Sequence, residues 1–239
     1  DFGFQPETVH VVPHAASAAY FQPLPTEVNT AQRSALGFGA DEVLLLNIGA
    51  AIWNKGIDVL LKGFALARQQ RKDLRLVFKD QRNTYGISGE NFVQTTLAAA
   101  GLLSADVLGA ITLIPANLAM AQMNSIYNVC DCYVSPYRAE GFNLPVYEAM
   151  ACQTPVIVTE GGATDDFARG EGARTIRSTL HRNAVVQQRE VSGYCEPDLD
   201  HLVELLLQTG QKSGHAAPVL LPTIHDWQAP VAQLLALMP

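Results

Sequence analysis

Charge is scarce in this chain. Asp, Glu, Lys and Arg make up 16% of its 239 residues, where an ordinary soluble domain carries about 25%. Hydrophobic residues reach 48%, so the composition is that of a globular core and excludes a disordered chain. Basic excess is missing too: 16 Lys and Arg stand against 23 Asp and Glu, for a net charge of −7. That excludes a general nucleic-acid or acidic-membrane surface, yet leaves room for a small anion held by local donors. Cysteine is limited to Cys130, Cys132, Cys152 and Cys195. Their spacing fits neither a disulfide framework nor a zinc finger, so buried free thiols in a reducing compartment are expected, with Cys130 and Cys132 facing the same side of a sheet. No run of about 18 apolar residues is present to span a membrane, and no secretory leader is visible. The start, Asp1-Phe-Gly-Phe, lacks a methionine and suggests a processed chain or a part of a longer one. Gly-x-Ser-x-Gly, a Walker loop and a Gly-x-Gly-x-x-Gly after the first strand are all absent, which argues against a serine hydrolase, a P-loop NTPase and an NAD-binding Rossmann enzyme.

What is present is alternation. Short runs rich in Val, Ile and Leu predict strands at Val9–Val12, Val43–Ile48, Leu74–Phe78, Ala110–Ile114, Cys132–Ser135, Pro155–Thr159 and, more weakly, Arg174–Ile176. Between them, helix-period segments run over Gly56–Gln70, Gly89–Ala100, Leu118–Val129 and Leu144–Cys152. Ile57, Leu60, Leu61, Phe64, Ala65 and Ala67 trace one apolar face of the first. Strands alternating with helices predict an α/β fold with a doubly wound parallel sheet, Rossmann-like. Leu199–Leu207 reads as a further helix, Gln211–Pro218 as a linker and Trp227–Leu237 as a closing helix.

In such sheets ligands bind beyond the carboxyl ends of the strands. The loops there are Gly49–Lys55, Lys79–Ser88, Pro115–Asn117, Pro136–Asn143 and Glu160–Asp166. The most informative is Glu140-Gly-Phe-Asn-Leu-Pro-Val-Tyr-Glu148. Glu140 ends a strand segment, Gly141 and Phe142 form a short loop, and Asn143 is placed to cap a helix that admits Pro145 in its first turn. The helix N-terminus favours an anion, phosphate above all. Glu148, one turn further in, could accept two hydrogen bonds from a ribose diol. Lys55 opens another helix, where the dipole disfavours a cation by about 0.3–1 kcal/mol, so its place suits a neighbouring anion. Gly49 ends its strand where the backbone turns or passes close to a ligand. Tyr137 and Arg138 line the approach to Glu140 or lie on the surface. Asp198-Leu199-Asp200 has the look of a metal-binding pair, but a helix N-cap explains it without one, and no metal is expected.

These residues carry a resemblance. Asn47-Ile-Gly-Ala-Ala-Ile-Trp-Asn-Lys-Gly-Ile-Asp-Val-Leu-Leu resembles the first phosphate loop of the retaining GT-B-fold glycosyltransferases of family 4. The stretch from Ile126 to Cys152 resembles their Glu-x7-Glu segment, and Thr154-Pro-Val-Ile-Val-Thr-Glu-Gly-Gly continues the pattern. Val11-Val-Pro-His-Ala and Phe21-Gln-Pro look like the opening of the donor domain. The resemblance implies that Glu140 meets the donor hexose, Glu148 the ribose, and Lys55 the diphosphate, with Lys55 and Glu140 as the catalytic residues. Gly49 and the amides of Gly141, Phe142, Asn143 and Leu144 would complete the donor site. The family's usual arginine is Ala50 here, and Lys79 and Arg82 are the candidates to replace it. The resemblance further implies no cofactor, a UDP-, GDP- or ADP-sugar as donor, and a glycan, lipid or protein acceptor. It also implies a cytoplasmic protein, with membrane association only through a missing acceptor domain. Residues 1–239 then form one nucleotide-sugar-binding domain, with its core at 9–207 and a closing segment at 219–239 that turns back toward the acceptor side. A non-catalytic nucleotide-binding or scaffolding module is the alternative.

Overall fold

The computed structural model describes residues 5–81, 86, 88–210 and 226–238. Six parallel strands form the central sheet: β1 (Val43–Gly49), β2 (Leu74–Asp80), β3 (Ile111–Ile114), β4 (Cys132–Ser135), β5 (Val156–Thr159) and β6 (Ala173–Ile176), in the order β3-β2-β1-β4-β5-β6. The helices are α1 (Thr26–Ala35), α2 (Ile57–Gln70), α3 (Gly89–Ala99), α4 (Ala105–Gly109), α5 (Met120–Val129), α6 (Leu144–Ala151), α7 (Leu199–Gln208) and α8 (Gln228–Ala236). This is the Rossmann-like doubly wound arrangement that the alternation predicts.

Every residue of β1 is buried, which is why its sequence is an almost unbroken apolar run. Alternation along the strand sends its side chains to two separate layers. Val43 and Leu45 join Leu60, Phe64, Val93, Leu202 and Leu206 from α2, α3 and α7. Leu44, Leu46 and Ile48 join Tyr127, Val146 and Met150 from α5 and α6, together with Tyr133 of β4. Cys130 and Cys132, expected on one side, divide between these layers, because Cys130 caps α5 before the strand begins. All four cysteines are free and buried, and burial pushes the Cys132 thiol up to about 12.

Three features depart from the sequence-based expectation. Residues Val9–Val12 form no strand: Val9 and Val11 stand exposed and Pro13, which has no N–H to donate, follows at once. Helices α1 and α4 were not anticipated. Neither was an antiparallel hairpin, β7 (Ser178–Val186) with β8 (Arg189–Pro197). Its two-residue turn is Gln187-Gln188, both with positive φ, 48° and 66°, where hairpins usually signal themselves with Asn-Gly or Asp-Gly. The expected linker Gln211–Pro218 lies outside the described residues.

Candidate functional site

The strand order reverses between β1 and β4, so the loops that leave their carboxyl ends flank the crevice where such sheets take ligands. Here those two loops are tied together. The Asn54 carbonyl accepts the N–H groups of Arg138 (2.8 Å) and Ala139 (3.2 Å), and the Asn54 amide donates to the Ala139 carbonyl at 3.3 Å. Gly56, in the left-handed region at φ 64°, lets the two backbones meet. The result is an ion pair between Lys55 Nζ and Glu140 Oε1, their side chains 24% and 10% exposed. The cation that the α2 dipole disfavours is thereby given a carboxylate from the neighbouring loop.

Glu148 sits on α6, where the Tyr127 hydroxyl donates to its Oε2 at 2.7 Å. Burial raises the Glu148 pKa against the pull of that hydrogen bond. Tyr133 is buried within reach of the charge of both acids. Burial raises its pKa most, and the charges of Glu140 and Glu148 raise it further, while its hydroxyl donates to the Ile48 carbonyl at 3.2 Å.

Asn143 holds the N-cap position of α6, but with left-handed backbone (φ 71°, ψ 60°) and no side-chain cap. This corrects the expected capping role. Its amide instead donates to Ser135 Oγ at 3.0 Å, pinning the turn to the end of β4. The backbone N–H groups of Gly141, Phe142 and Asn143 find no acceptor among the described residues. Leu144 begins the helix. Phe142 stacks on Phe167 with ring centroids 4.8 Å apart and lies 4.7 Å from His14.

Gly49 and Ala50 are both buried at the end of β1. Lys79 is buried at the end of β2, in register with Ile48. Its ammonium donates to the Asp80 carbonyl at 2.6 Å, and among the described residues it has no ion-pair partner. Burial lowers its pKa, opposed by the charge of Asp80. Arg82 lies outside the described residues. Asp198 caps α7 by accepting the His201 N–H at 2.9 Å, as expected, and no group of three His, Cys, Asp or Glu among the described residues is arranged to hold a metal.

The sequence reading missed the surroundings of Arg138. The guanidinium is buried and forms a forked pair with Asp58 at 2.7 and 3.0 Å and another with Glu196 at 2.6 and 2.8 Å. It also lies 5.1 Å from the Trp53 ring centroid. Tyr137 is equally buried, its hydroxyl 2.8 Å from Thr164 Oγ1. Neither residue is a surface group. A cavity of about 890 Å³ opens beside the Trp53–Asn54 turn, between α2, α3 and Gln187, and neither Lys55 nor Glu140 lines it.

The family profile described as "Glycosyl transferases group 1" matches residues 28–176, a span that includes Lys55, Glu140 and Glu148. The chain belongs to the group 1 glycosyltransferases. A D-inositol 3-phosphate glycosyltransferase of Kineococcus radiotolerans is 31% identical over 176 residues, 72% of this chain and 39% of that protein. The chain thus spans between a third and two-fifths of the length of the curated relatives it matches first. Among solved structures, the sucrose-phosphate synthase of Thermosynechococcus elongatus superposes with a TM-score of 0.67 at 20% identity, over 95% of this chain and 51% of that one. Anabaena Alr3699/HepE, solved in complex with UDP and glucose, gives 0.63 at 15% identity, over 98% and 56%. These likenesses are of fold: this group 1 glycosyltransferase chain has the architecture of a GT-B C-terminal domain. Among its described residues no helix is long and apolar enough to cross a membrane.

Proposed function

We propose that this chain is the donor-binding domain of a retaining, family 4 glycosyltransferase, and that a second, acceptor-binding domain completes the enzyme. The observation that carries the reading is the Lys55–Glu140 pair at the strand-order reversal, beside the α6 N-terminus. A cation, unpaired loop amides and a helix N-terminus converge where a diphosphate would lie. UDP, bound by the Anabaena protein of the same fold, is one of three nucleotides to test, with GDP and ADP.

In this reading the bond between the anomeric carbon and the β-phosphate oxygen breaks, and the electron pair leaves with the nucleoside diphosphate. Lys55 and the amides of Phe142, Asn143 and Leu144 oppose the growing charge, a preorganised electrostatic stabilisation. Glu140 orients the sugar and holds Lys55 in line, and Glu148 accepts the ribose hydroxyls. The acceptor hydroxyl adds to the face that the leaving group departs from and passes its proton to a phosphate oxygen. Lys79, a buried ammonium with no ion-pair partner among the described residues, serves as the second phosphate cation in place of an arginine at position 50. The cations and amides neutralise the leaving group without a metal.

In this reading the chain alone binds donor and transfers weakly or not at all, so the test is a donor screen on the two-domain enzyme, reading release of UDP, GDP or ADP from the matching sugar nucleotides. Release from one donor that falls with Glu140→Gln supports it, and no release from any contradicts it. The buried methyl of Ala50, where the family carries an arginine, favours a second reading, a binding module without turnover. Tight nucleotide binding with no release from any donor and acceptor combination would select that reading.

A further inference from the structure

Arg138 stands two residues before Glu140 and gathers three segments of the chain. Its side chain holds Asp58 of α2 and Glu196 of β8, and its Nη1 donates to the Trp53 carbonyl at 2.9 Å. Its backbone N–H donates to Asn54 and its carbonyl accepts the Cys195 N–H at 2.9 Å. The hairpin adds Tyr194, whose ring meets Trp53 edge-on with centroids 4.8 Å apart and stacks with His181 on its partner strand. The guanidinium hydrogens run to the Trp53 carbonyl and Asp58, on either side of Lys55, and to Glu196 of the hairpin. The rest of β7 is largely exposed, so the hairpin contributes little to the core. What it contributes is Glu196 and the Cys195 amide, both on Arg138 of the loop that carries Glu140, and Tyr194 on Trp53 of the loop that carries Lys55.

We infer that the β7–β8 hairpin is a brace for the donor loop, and that Arg138 and Glu196 are positioning residues that set Glu140 against Lys55. The inference rests on the donor-binding reading for its functional consequence but not for its structural one. Carboxylate pairs on a buried guanidinium are forked and charge-assisted, and removing one partner of such a set costs far more than losing an exposed ion pair. Truncating Arg138 leaves Asp58 and Glu196 facing each other and risks the fold, so the decisive variant is Glu196→Gln, which keeps the shape and removes the charge. Glu190→Gln, exposed near the hairpin tip, is the control.

Hydrogen exchange followed by mass spectrometry reads the brace directly. In Glu196→Gln the amides of Arg138 and Ala139, which donate to the Asn54 carbonyl, should exchange about tenfold faster or more, the size expected from a hydrogen bond between charged groups, while β1, β2 and the Glu190→Gln protein stay as in the wild type. Equal protection of the Arg138 and Ala139 amides in wild type and Glu196→Gln overturns the inference, whatever the protein binds. Donor turnover separates the two readings. With an active wild type, Glu196→Gln should lower kcat about tenfold with little change in donor KM, and an unchanged kcat removes the functional part of the brace. Faster exchange of the Arg138 and Ala139 amides in the variant, with no nucleotide bound by the wild type, leaves the brace standing and overturns the donor reading.

Discussion

Gly56 lies so close to Pro136 that a Cβ on it would sit 1.8 Å from the Pro136 carbonyl oxygen. Its φ of 64° is one that only glycine adopts freely. This single close approach lets the loop after β1 lie along the loop after β4, and it is what brings Lys55 to Glu140. Gly56→Ala should therefore destabilise the protein by more than the about 1–2 kcal/mol that left-handed backbone alone costs an alanine, because Pro136 must also move. Urea unfolding would show it as a lowered midpoint, and an unchanged midpoint would mean that the two loops do not depend on each other.

Lys55→Ala should cost turnover more than donor affinity. Removing one preorganised donor to a developing oxyanion typically lowers rate by about 10²–10³, whereas ground-state binding also draws on the α6 amides and Glu148. Steady-state kinetics with the identified donor checks this through the split between kcat and KM. A rise in KM alone would move Lys55 from the chemistry to simple binding.

Tyr127→Phe should shift the acidic limb of nucleotide binding to higher pH. Burial already raises the Glu148 pKa, and the Tyr127 hydrogen bond is what lowers it. Without that donor the carboxylate is less stable and takes up a proton at higher pH. Binding measured between pH 4 and pH 8, over roughly that range, should show the variant losing affinity earlier as the pH falls. Superimposable profiles would remove Glu148 as a ribose acceptor.

Asp58 gives a separate pH signature. Burial raises its pKa, but the hydrogen bond and charge of Arg138 and the charge of Lys62 outweigh it, and the net shift is downward from 3.8. A lowered folded-state pKa contributes stability that is complete above the unfolded value and is lost as pH falls through the folded one. The stability gap between wild type and Asp58→Asn should therefore be constant near neutrality and close only below pH 3.8. A gap that stayed open in strong acid would show that the Arg138 pair does not depend on the Asp58 charge.

The sheet was legible because parallel strands buried on both faces must be apolar throughout. Val43–Ile48 and Cys132–Ser135 could be bounded from composition alone, and the structure ends them within a residue. Lys55 was legible because a cation is out of place at a helix start, and Glu140 through its spacing from Glu148; only the family resemblance put Lys55 and Glu140 in one site, because 85 positions separate them. The hairpin was not legible, since Gln187-Gln188 lacks the glycine that normally marks such a turn and most of β7 is polar and exposed. Asn143 looked like a cap because residue type predicts caps well, but its left-handed backbone turns the amide toward Ser135. Arg138 hid its role because nothing local separates a buried arginine from a surface one: its partners Asp58 and Glu196 stand 80 and 58 positions away.

The most direct test is calorimetric titration of UDP, GDP and ADP into the wild-type protein and into Lys55→Ala. One nucleotide should bind the wild type, with its affinity lowered in the variant and its sites at one per chain. If none of the three binds, or if the bound one is indifferent to Lys55, the paired loops at the head of β1 and β4 are not a diphosphate site.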